Sequence, residues 1–251
     1  MLTQERYQTI LALLSERRAV TVAELAQALD ASESTIRRDL AALDQRGRLV
    51  KVHGGATALG GPAFPAVEED VPTKAGRQVA EKAAIGRYAA GLIEDGDFVY
   101  IDAGTSTAAL VAAVDGVQAT FVTNGFDHAR ALARKGLNAY VLGGRFKPST
   151  EAITGAAAAA GLRQYNFTKC FLGANGVSPE AGYTTPDAEE AALKAVAMAR
   201  SCQTYVLADH SKFGRVSSIT FAPLDKAWVL TDRAPGGAYA SLTILKEVPP
   251  L

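Results

Sequence analysis

ASESTIRRDL, residues 31–40, places Arg37 and Arg38 side by side between two apolar residues. Hydroxyl and acidic residues precede the pair, as is typical of the first turn of a helix. Such arginines either contact a nucleic acid or solvate a helix surface, with Asp39 balancing one of the charges. For an arginine pair taken alone, the solvated surface is the commoner explanation. The flanking residues therefore have to decide between the two.

Three short amphipathic helices are predicted in this part of the chain, because apolar residues recur there at helical spacing. The apolar positions are Tyr7, Ile10, Leu11 and Leu14 in the first helix, Val22, Leu25, Ala26 and Leu29 in the second, and Ile36, Leu40 and Leu43 in the third. Thr3, Thr21 and Ser32 can cap the helix starts, and Gly47 is placed to end the third helix. With the apolar side of the third helix inward, its arginines point outward.

An extended segment, residues 48–53, follows the third helix and is predicted to form a short wing. Between Ser34 and His53 the chain has five basic and two acidic residues, which gives a local charge of +3. Three helices followed by a basic wing are the order of a winged helix-turn-helix, which we place at residues 1–56. This context favours DNA binding over a solvated surface.

The residues expected to contact DNA lie at the start and on the outer side of the third helix, and on the wing. Free N–H groups and short hydroxyls at a helix N-terminus suit phosphate oxygens or base edges. Arginine can clamp guanine or bind phosphate, and the sequence leaves both open. The expected DNA-contacting residues are Ser32, Ser34, Thr35, Arg37, Arg38, Arg48, Lys51 and His53.

The whole chain of 251 residues carries 26 basic and 26 acidic side chains, so its net charge is zero. That balance argues against indiscriminate binding of polyanions and assigns nucleic-acid contacts to a local patch. With 48% hydrophobic residues the chain can form globular cores. Its apolar runs are too short to span a membrane, and its first residues are not those of a signal peptide, so we expect a cytoplasmic protein.

Cysteines and histidines give no sign of a metal or redox site in the sequence. Cys170 and Cys202 lack the spacing of a zinc or redox motif and are expected to be buried free thiols. His53, His128 and His210 are scattered along the chain. We therefore expect no bound metal and no cofactor.

Residues 57–76 are predicted to be a linker, because glycines and prolines there, Pro72 among them, exclude regular helix. Residues 77–251 form a second predicted domain in which strands and helices alternate. Strands are predicted at 98–102, 120–124, 139–143, 169–173, 204–209 and 227–231, and helices at 108–114, 127–135 and 188–200. Such alternation predicts an α/β domain with a mostly parallel sheet covered on both faces.

The motif DAGTST, residues 102–107, connects the first predicted strand of this domain to a helix. Gly104 permits close approach of a ligand to the backbone, and Thr105, Ser106 and Thr107 supply hydroxyls at the helix N-terminus. The N–H groups and helix dipole favour an anion there, and phosphate is the natural ligand. Strand-to-helix turns also use glycine and threonine for structural reasons, so the motif alone leaves both explanations open.

Polar and glycine-rich segments also follow other predicted strands. In open α/β sheets ligands collect outside the carboxyl ends of the strands, so these segments are predicted to form one effector pocket. Its expected residues are Asp102, Gly104, Thr105, Ser106, Thr107, Asn124, Gly144, Arg145, Asn175, Glu189 and Lys212. Glu190 and Lys194 follow Glu189 on the same predicted helix, where such charges are also typical of a solvated surface. Lys212 is predicted to bind phosphate or a sugar hydroxyl, with a plain surface lysine as the alternative.

A series of motifs runs through nearly all of residues 1–232: SESTIRRDL, VKVHGGA, DAGTST, VTNG, LGG, FLGANGV, GYTTPDAEEAALK and ADHSKFG. As a set they resemble the DeoR family of bacterial transcription regulators. The resemblance implies a winged helix-turn-helix joined to an α/β sugar-phosphate-sensing domain related in fold to ribose-5-phosphate isomerase. It also implies a repressor of a sugar-catabolic operon, released from operator DNA by a phosphorylated intermediate of the pathway.

Within the family, MLTQER, ASESTIRRDL, VTNG and FLGANGV followed by AGYTTPD look most similar to repressors of fructose phosphotransferase operons. Lactose and tagatose repressors are close relatives. The resemblance therefore implies fructose 1-phosphate as the effector, with another sugar phosphate such as tagatose 6-phosphate as the alternative. Many other members carry aspartate at the position of Asn175 and serine at the positions of Gly125 and His210, and these departures bear on which sugar is bound.

An aldose-ketose phosphate isomerase is the competing enzyme hypothesis. That chemistry needs a general base beside the sugar, usually a carboxylate, and Asn175 in its glycine-rich loop cannot take a proton. Asp102, Asp209 and Glu189 remain as possible bases. We expect a regulator with no enzymatic activity. We also expect a homo-oligomer, dimer or tetramer, because two-fold operators match two-fold proteins.

Overall fold

The computed structural model describes residues 3–17, 19–52, 54–58 and 70–250. The chain separates into two compact units, residues 1–63 and 64–251. Most of the predicted linker, 57–76, and the predicted DNA contact His53 lie outside the described residues, so the linker boundaries stay predictions. Each unit has hydrophobic core residues of its own and is described by itself.

The first unit contains helices α1 (Thr3–Arg17), α2 (Val22–Ala28) and α3 (Glu33–Gln45) and strands β1 (Ala19–Thr21), β2 (Leu49–Val52) and β3 (Gly55–Ala58). The strands pair antiparallel in the order β1, β3, β2. The apolar sides of the helices meet in one core, where Ile10, Leu25, Ile36 and Leu40 are fully buried. The predicted three helices and wing are confirmed. β1 has no sequence signal, because three residues are too few to show alternation.

Local hydrogen bonds fix where α2 and α3 begin. Thr21 and Glu24 form a capping box: Thr21 Oγ1 accepts from the backbone N–H of Glu24 at 3.1 Å, and Glu24 Oε2 accepts from that of Thr21 at 2.8 Å. Ser32 Oγ accepts from the backbone N–H of Thr35 at 3.3 Å. The predicted caps Thr21 and Ser32 are confirmed, so the sequence itself sets the turn between the two helices. Thr3 is the first described residue of α1, and its cap stays a prediction.

The second unit begins with a short helix and then alternates between helices and strands. In chain order its elements are α4 (Val71–Ala75), α5 (Val79–Ala90), β4 (Phe98–Ile101), α6 (Thr105–Ala113), β5 (Thr120–Thr123), α7 (Phe126–Arg134), β6 (Asn138–Val141), β7 (Arg145–Lys147), β8 (Ala152–Thr154), α8 (Ala156–Leu162), β9 (Phe167–Gly173), β10 (Gly176–Ser178), β11 (Gly182–Thr185), α9 (Ala188–Ala199), β12 (Ser201–Leu207), β13 (Ile219–Ala222), β14 (Trp228–Thr231), α10 (Tyr239–Leu242) and β15 (Leu245–Glu247). Pro72 lies in the first turn of α4, where a missing N–H costs little, so the expectation that Pro72 excludes helix is wrong.

A parallel sheet in the order β15, β14, β12, β9, β4, β5, β6 forms the centre of the second unit. Successive side chains of a strand enter opposite hydrophobic clusters. Val99 and Ile101 join the cluster that contains residues of α5 and α6, whereas Tyr100 joins the cluster that contains residues of α8 and α9. The six predicted strands and the predicted cover on both faces are confirmed.

Two smaller antiparallel pairings accompany the main sheet. β10, β11 and β13 form one small sheet, and β7 pairs with β8 in another. These strands are three or four residues long and have no clear sequence signal. Their pairing carries the chain from the carboxyl ends of β6 and β9 back towards the next helix.

The two cysteines differ in burial. Cys170 is a buried free thiol in β9 as expected, but Cys202 is exposed in β12, so the expectation of burial is wrong for that residue. Cys202 lies near the start of its strand, before the strand enters the core. No helix within the described ranges combines the length and apolar composition that a membrane crossing requires.

Candidate functional site

The start of α3 presents a group of neighbouring hydroxyls. Ser32 Oγ lies 3.0 Å from Ser34 Oγ and 2.9 Å from Thr35 Oγ1. Ser32 and Ser34 are exposed, and Thr35 is half-buried. Hydroxyls and first-turn N–H groups thus lie together at the end of a helix, which is an arrangement that suits phosphate oxygens.

Arg37 and Arg38 both point away from the core of the first unit. Arg37 pairs with Glu33 one turn earlier at 2.6 Å, although 61% of its side chain is exposed. Arg38 Nε donates to the backbone carbonyl of Ser34 at 3.3 Å. Exposed contacts of this kind add little to stability, so either guanidinium can exchange its present partner for DNA at low cost.

Asp39 has a different partner from the one that the sequence suggests. Its buried carboxylate balances neither Arg37 nor Arg38 but accepts from Arg6 Nε at 2.7 Å and from Arg6 Nη2 at 3.2 Å. The side-chain hydrogen bond with Asp39 raises the pKa of Arg6. This ion pair links α1 to α3, so Asp39 does not neutralise the positive charge of Arg37 or Arg38.

The wing adds exposed positive charge to the first unit. Arg48 and Lys51 are exposed, and the backbone N–H of Lys51 donates to Asp44 Oδ1 at 3.0 Å. This hydrogen bond ties β2 to the last turn of α3. The structure thus places the described members of the predicted DNA-contacting set on the outside of the unit or at the start of α3, and His53 lies outside the described residues.

The DAGTST loop (residues 102–107) leads directly from β4 into α6. Gly104 has a φ of +152°, a conformation that side-chain-bearing residues rarely adopt. The backbone N–H of Ala103 donates to Asn124 Oδ1 at 2.8 Å, and the Tyr100 hydroxyl donates to the same oxygen at 3.0 Å. Asn124 therefore fixes the shape of the loop from the end of the neighbouring strand.

A polar pocket opens at the start of α6. Its lining residues are Val71, Lys74, Ala103, Gly104, Thr105, Ser106, Thr150, Gly173, Ala174, Asn175, Glu190, Lys194 and Lys212. We call it the α6 pocket. It lies at the carboxyl edge of the parallel sheet, where ligands of open α/β sheets collect. Of the predicted effector residues, the structure brings together Gly104, Thr105, Ser106, Asn175 and Lys212 in this lining.

Asp102, Thr107 and Asn124 are buried beside the α6 pocket and do not line it. Asp102 accepts from the Lys194 ammonium and, at 3.2 Å, from the backbone N–H of Gly173. Burial raises the pKa of Asp102, and the Lys194 charge opposes that rise. The buried pair places an ammonium group in the pocket wall, which is a favourable neighbour for an anion.

Gly144, Arg145 and Glu189 lie outside the lining of the α6 pocket. Arg145 pairs with Glu189 at 2.5 Å in an exposed ion pair. Glu189 therefore lies on a solvated helix surface, which is the alternative that the sequence leaves open for the charges of this helix. Glu189 and its neighbour Glu190 project about 100° apart around the helix, so only one of them can face the interior of the unit.

Several residues of the α6 pocket have weak or no sequence signals. Glu190 is buried, and its Oε1 accepts from Lys147 Nζ at 2.9 Å and from Thr150 Oγ1 at 2.8 Å. Glu190 and Lys194 do have a signal, since both lie on the predicted helix 188–200, but the same charges also fit a surface. Thr150 and Lys74 have none, because one lies in a turn and the other in the predicted linker.

His128 holds the DAGTST loop from the side of α7. The Thr107 hydroxyl donates to the Gly104 carbonyl at 2.9 Å and lies 3.1 Å from His128 Nε2. The Thr107 side chain is thus held between the Gly104 carbonyl and the His128 ring. Burial lowers the pKa of His128 to about 4.

Glu81, His210 and Asp232 bring possible metal-ligand atoms within 4.8 Å of one another. The sequence does not foresee this grouping, because the three residues lie far apart in the chain. His210 Nδ1 lies 2.6 Å from Asp232 Oδ2, and the backbone N–H of His210 donates to Asp232 Oδ1 at 2.8 Å. Hydrogen bonds thus account for the histidine and one carboxylate, and the expectation of no metal stays a prediction.

Two family models match the chain. The DeoR-like helix-turn-helix domain matches residues 6–60, and the DeoR C terminal sensor domain matches residues 77–233. The chain belongs to the DeoR family. The resemblance inferred from the motifs is thereby confirmed, as is the prediction of a winged helix-turn-helix followed by an α/β domain.

Relatives of this DeoR-family chain are similar along nearly its whole length. A Bacillus subtilis (strain 168) protein named uncharacterized HTH-type transcriptional regulator FruR is 43% identical over 254 residues, which cover 100% of both chains. The HTH-type transcriptional repressor GlcR of the same organism is 33% identical over 96% of this chain and 93% of its own. The lactose phosphotransferase system repressor of Staphylococcus aureus (strain N315) is 34% identical over 88% of each chain. These names describe transcription regulators, in agreement with the expectation of a regulator.

Similar solved structures include ribose 5-phosphate isomerase A from Methanocaldococcus jannaschii. The likeness covers 53% of this chain and 53% of that chain, with 14% sequence identity and a TM-score of 0.40. An eIF2B delta structure from Chaetomium thermophilum is similar to the same degree, with a TM-score of 0.40 and 18% identity over 55% of this chain and 50% of that chain. Nothing about activity follows from likenesses of this extent.

Proposed function

We propose that this DeoR-family chain is a DNA-binding repressor of a sugar-catabolic operon and that a phosphorylated sugar releases it from its operator. One observation carries the proposal: the same chain has an exposed Arg37 and Arg38 on a helix-turn-helix and a polar pocket at the start of α6. The first suits DNA and the second suits a phosphate. A metabolite-controlled repressor requires an effector-binding pocket and a DNA-binding surface in the same chain.

On the DNA side, α3 and the wing supply the contacts. Hydroxyls and N–H groups at the start of α3 bind phosphate or base edges, the arginines clamp guanine or phosphate, and the wing contacts the backbone. The proposed contacts are Ser32, Ser34, Thr35, Arg37, Arg38, Arg48, Lys51 and His53. A homo-oligomer, dimer or tetramer, places two such units on a two-fold operator in the cytoplasm.

On the effector side, the phosphate binds at the N-terminus of α6, at Gly104, Thr105 and Ser106, with Lys212 as counter-charge. Asn175 hydrogen-bonds a sugar hydroxyl. Asp102, Thr107 and Asn124 act indirectly by holding the DAGTST loop and Lys194 in place, and Gly144, Arg145 and Glu189 are left out of the proposed site. Since a relative is named FruR and another is a lactose phosphotransferase system repressor, we propose fructose 1-phosphate as effector, with tagatose 6-phosphate as the alternative.

The DNA-binding part is tested by the double variant Arg37→Ala and Arg38→Ala. A labelled duplex is first selected from a random library with the wild-type protein, and its affinity is then measured by fluorescence anisotropy. Loss of charge-assisted contacts is expected to weaken binding by about a hundredfold, because each good arginine contact contributes about 1–3 kcal/mol.

A matched control for that variant is Arg134→Ala with Arg163→Ala, which removes two exposed arginines from the second unit. This control is expected to bind the duplex as the wild type does. Equal affinity of the Arg37 and Arg38 variant and the wild type, or failure to select any duplex, contradicts the proposed DNA contact.

The effector part is tested by a thermal-shift panel of fructose 1-phosphate, fructose 6-phosphate, tagatose 6-phosphate and inorganic phosphate. Ligand at a hundred times its Kd is expected to stabilise the protein by about 2.7 kcal/mol. Lys212→Ala is expected to abolish the shift, and the exposed Lys226→Ala is expected to retain it. No shift with any sugar phosphate contradicts the effector proposal, and a shift with tagatose 6-phosphate alone contradicts the fructose assignment.

A further inference from the structure

A second cavity of about 290 Å³ adjoins the α6 pocket. Its lining residues are Lys74, Arg77, Gln78, Lys82, Asp209, Ser211, Lys212 and Arg215. We call it the cationic cavity. Lys74 and Lys212 line both spaces, so the two are neighbours in the same unit and share part of their walls. A ligand that starts at the α6 pocket can therefore extend into the cationic cavity.

Positive charge dominates the described lining of the cationic cavity, which has five basic residues and one acidic residue. Lys82 is almost fully buried, and its ammonium donates to the backbone carbonyl of Lys74 at 2.5 Å. Burial, and next to it the charge of Lys212, lowers the pKa of Lys82. Cations held this close together repel one another, and an anion placed among them relieves that repulsion.

The Asp209 carboxylate needs a hydrogen-bond donor, which an anion without a hydroxyl group does not supply. It is fully buried, and its Oδ1 accepts from the backbone N–H and the hydroxyl of Ser211 at 3.0 and 2.5 Å. Its Oδ2 has no hydrogen-bond partner among the described residues. A buried carboxylate oxygen without a donor is costly, and a ligand hydroxyl supplies the donor that is lacking.

We propose that this site binds a sugar bisphosphate, with one phosphate at the N-terminus of α6, the second among Arg77, Lys82 and Arg215, and a sugar hydroxyl donating to Asp209. The inference rests on the proposed function, a repressor released by a phosphorylated sugar. It deepens that function by making a sugar with two phosphates, in place of a monophosphate such as fructose 1-phosphate, the preferred effector. Lys212 lies between the two phosphates and serves both. A monophosphate fills the α6 pocket alone and leaves the cationic cavity without its anion.

Isothermal titration calorimetry of the full chain tests the inference with matched ligands. Fructose 1-phosphate and fructose 6-phosphate are compared with fructose 1,6-bisphosphate, and tagatose 6-phosphate with tagatose 1,6-bisphosphate. We expect each bisphosphate to bind at least about tenfold more tightly than its monophosphates, since the second phosphate forms charge-assisted hydrogen bonds in the cationic cavity.

Exposed residues allow a variant test that does not disturb the core. Arg77→Ala with Arg215→Ala is expected to bring the ratio of bisphosphate to monophosphate affinity close to one, whereas Arg134→Ala with Arg163→Ala keeps the wild-type ratio. Equal affinity of the wild type for both ligand classes, or an unchanged ratio in the Arg77 and Arg215 variant, overturns the bisphosphate inference while the proposed function stands. Absence of binding by every sugar phosphate overturns the proposed function as well.

Discussion

His128 and Thr107 show how single buried side chains hold the DAGTST loop. Neither lines the α6 pocket, yet the chain of hydrogen bonds from His128 through Thr107 to the Gly104 carbonyl fixes the loop from below. The bulk of the His128 ring is set against Gly125, where an added Cβ would lie 2.9 Å from the ring. Glycine at position 125 thus makes room for the histidine that organises the loop.

The depressed pKa of His128 predicts a pH dependence of stability. The pKa is about 4 in the folded chain and 6.5 ordinarily, so the unfolded chain takes up a proton as pH falls through 6.5 while the folded chain does not. The contribution of neutral His128 to the free energy of unfolding is fully present above pH 6.5 and is lost as pH falls, by about 2 kcal/mol between pH 7 and pH 5. Urea denaturation at the two pH values measures it.

His128→Gln is the matched variant for this measurement, because glutamine keeps a polar side chain without a titrating ring. Its free energy of unfolding is expected to fall by about 2 kcal/mol less than that of the wild type over the same pH interval. Equal losses in the two proteins contradict the assignment of this pH dependence to His128.

Side-chain direction sets the limit of prediction at the level of residues. Gly104, Thr105 and Ser106 are predictable as pocket residues because a strand-to-helix turn presents them locally. Glu189 and Glu190 are adjacent, and which of them faces inward depends on where α9 packs, a tertiary fact that the sequence does not contain. Lys194 follows the same rule, since its partner Asp102 lies 92 positions away.

Elements with local determinants are predictable, and elements that depend on distant pairing are not. Thr21 and Ser32 cap their helices with hydrogen bonds that span three residues, so the sequence alone specifies them. The small sheet of β10, β11 and β13 instead depends on pairs such as Thr184 with Thr220. No periodicity within a strand of three or four residues announces such a pairing.

Helices α5 and α6 pack closely enough to make Gly86 indispensable. A Cβ on Gly86 would lie 2.5 Å from the Ala109 carbonyl carbon and 2.6 Å from the Leu110 nitrogen, both backbone atoms of α6. Gly86→Ala must therefore push the two helices apart and is expected to cost about 1–3 kcal/mol or more in the free energy of unfolding. It is also expected to weaken sugar-phosphate binding, because α6 carries the DAGTST loop.

Gly161→Ala is the matched control for that prediction. Gly161 lies in α8, where an added Cβ meets no atom within 4 Å. Alanine there is expected to stabilise the protein by about 0.5–1 kcal/mol, since it restricts the unfolded chain and favours helix. Urea denaturation of both variants gives the comparison, and a neutral or stabilising Gly86→Ala contradicts the close packing of α5 on α6.

At the scale of the whole molecule, a net charge of zero conceals two regions of concentrated positive charge. One is the α3 start and wing of the first unit, and the other lies around the α6 pocket and the cationic cavity of the second. The proposed repressor uses the first for DNA and the second for its effector. Control requires only that the effector favour a state of the protein that binds DNA less well, with a coupling free energy between the sites.

The affinity for operator DNA with and without sugar phosphate tests that coupling most directly. Fluorescence anisotropy with the selected duplex is measured without ligand and with saturating fructose 1-phosphate, fructose 1,6-bisphosphate or tagatose 6-phosphate. At least one of these ligands is predicted to weaken DNA binding about a hundredfold, which corresponds to a coupling of about 2.7 kcal/mol, and Lys212→Ala is predicted to remove the effect. An unchanged DNA affinity at concentrations where calorimetry proves the ligand bound would contradict the proposal of an effector-released repressor.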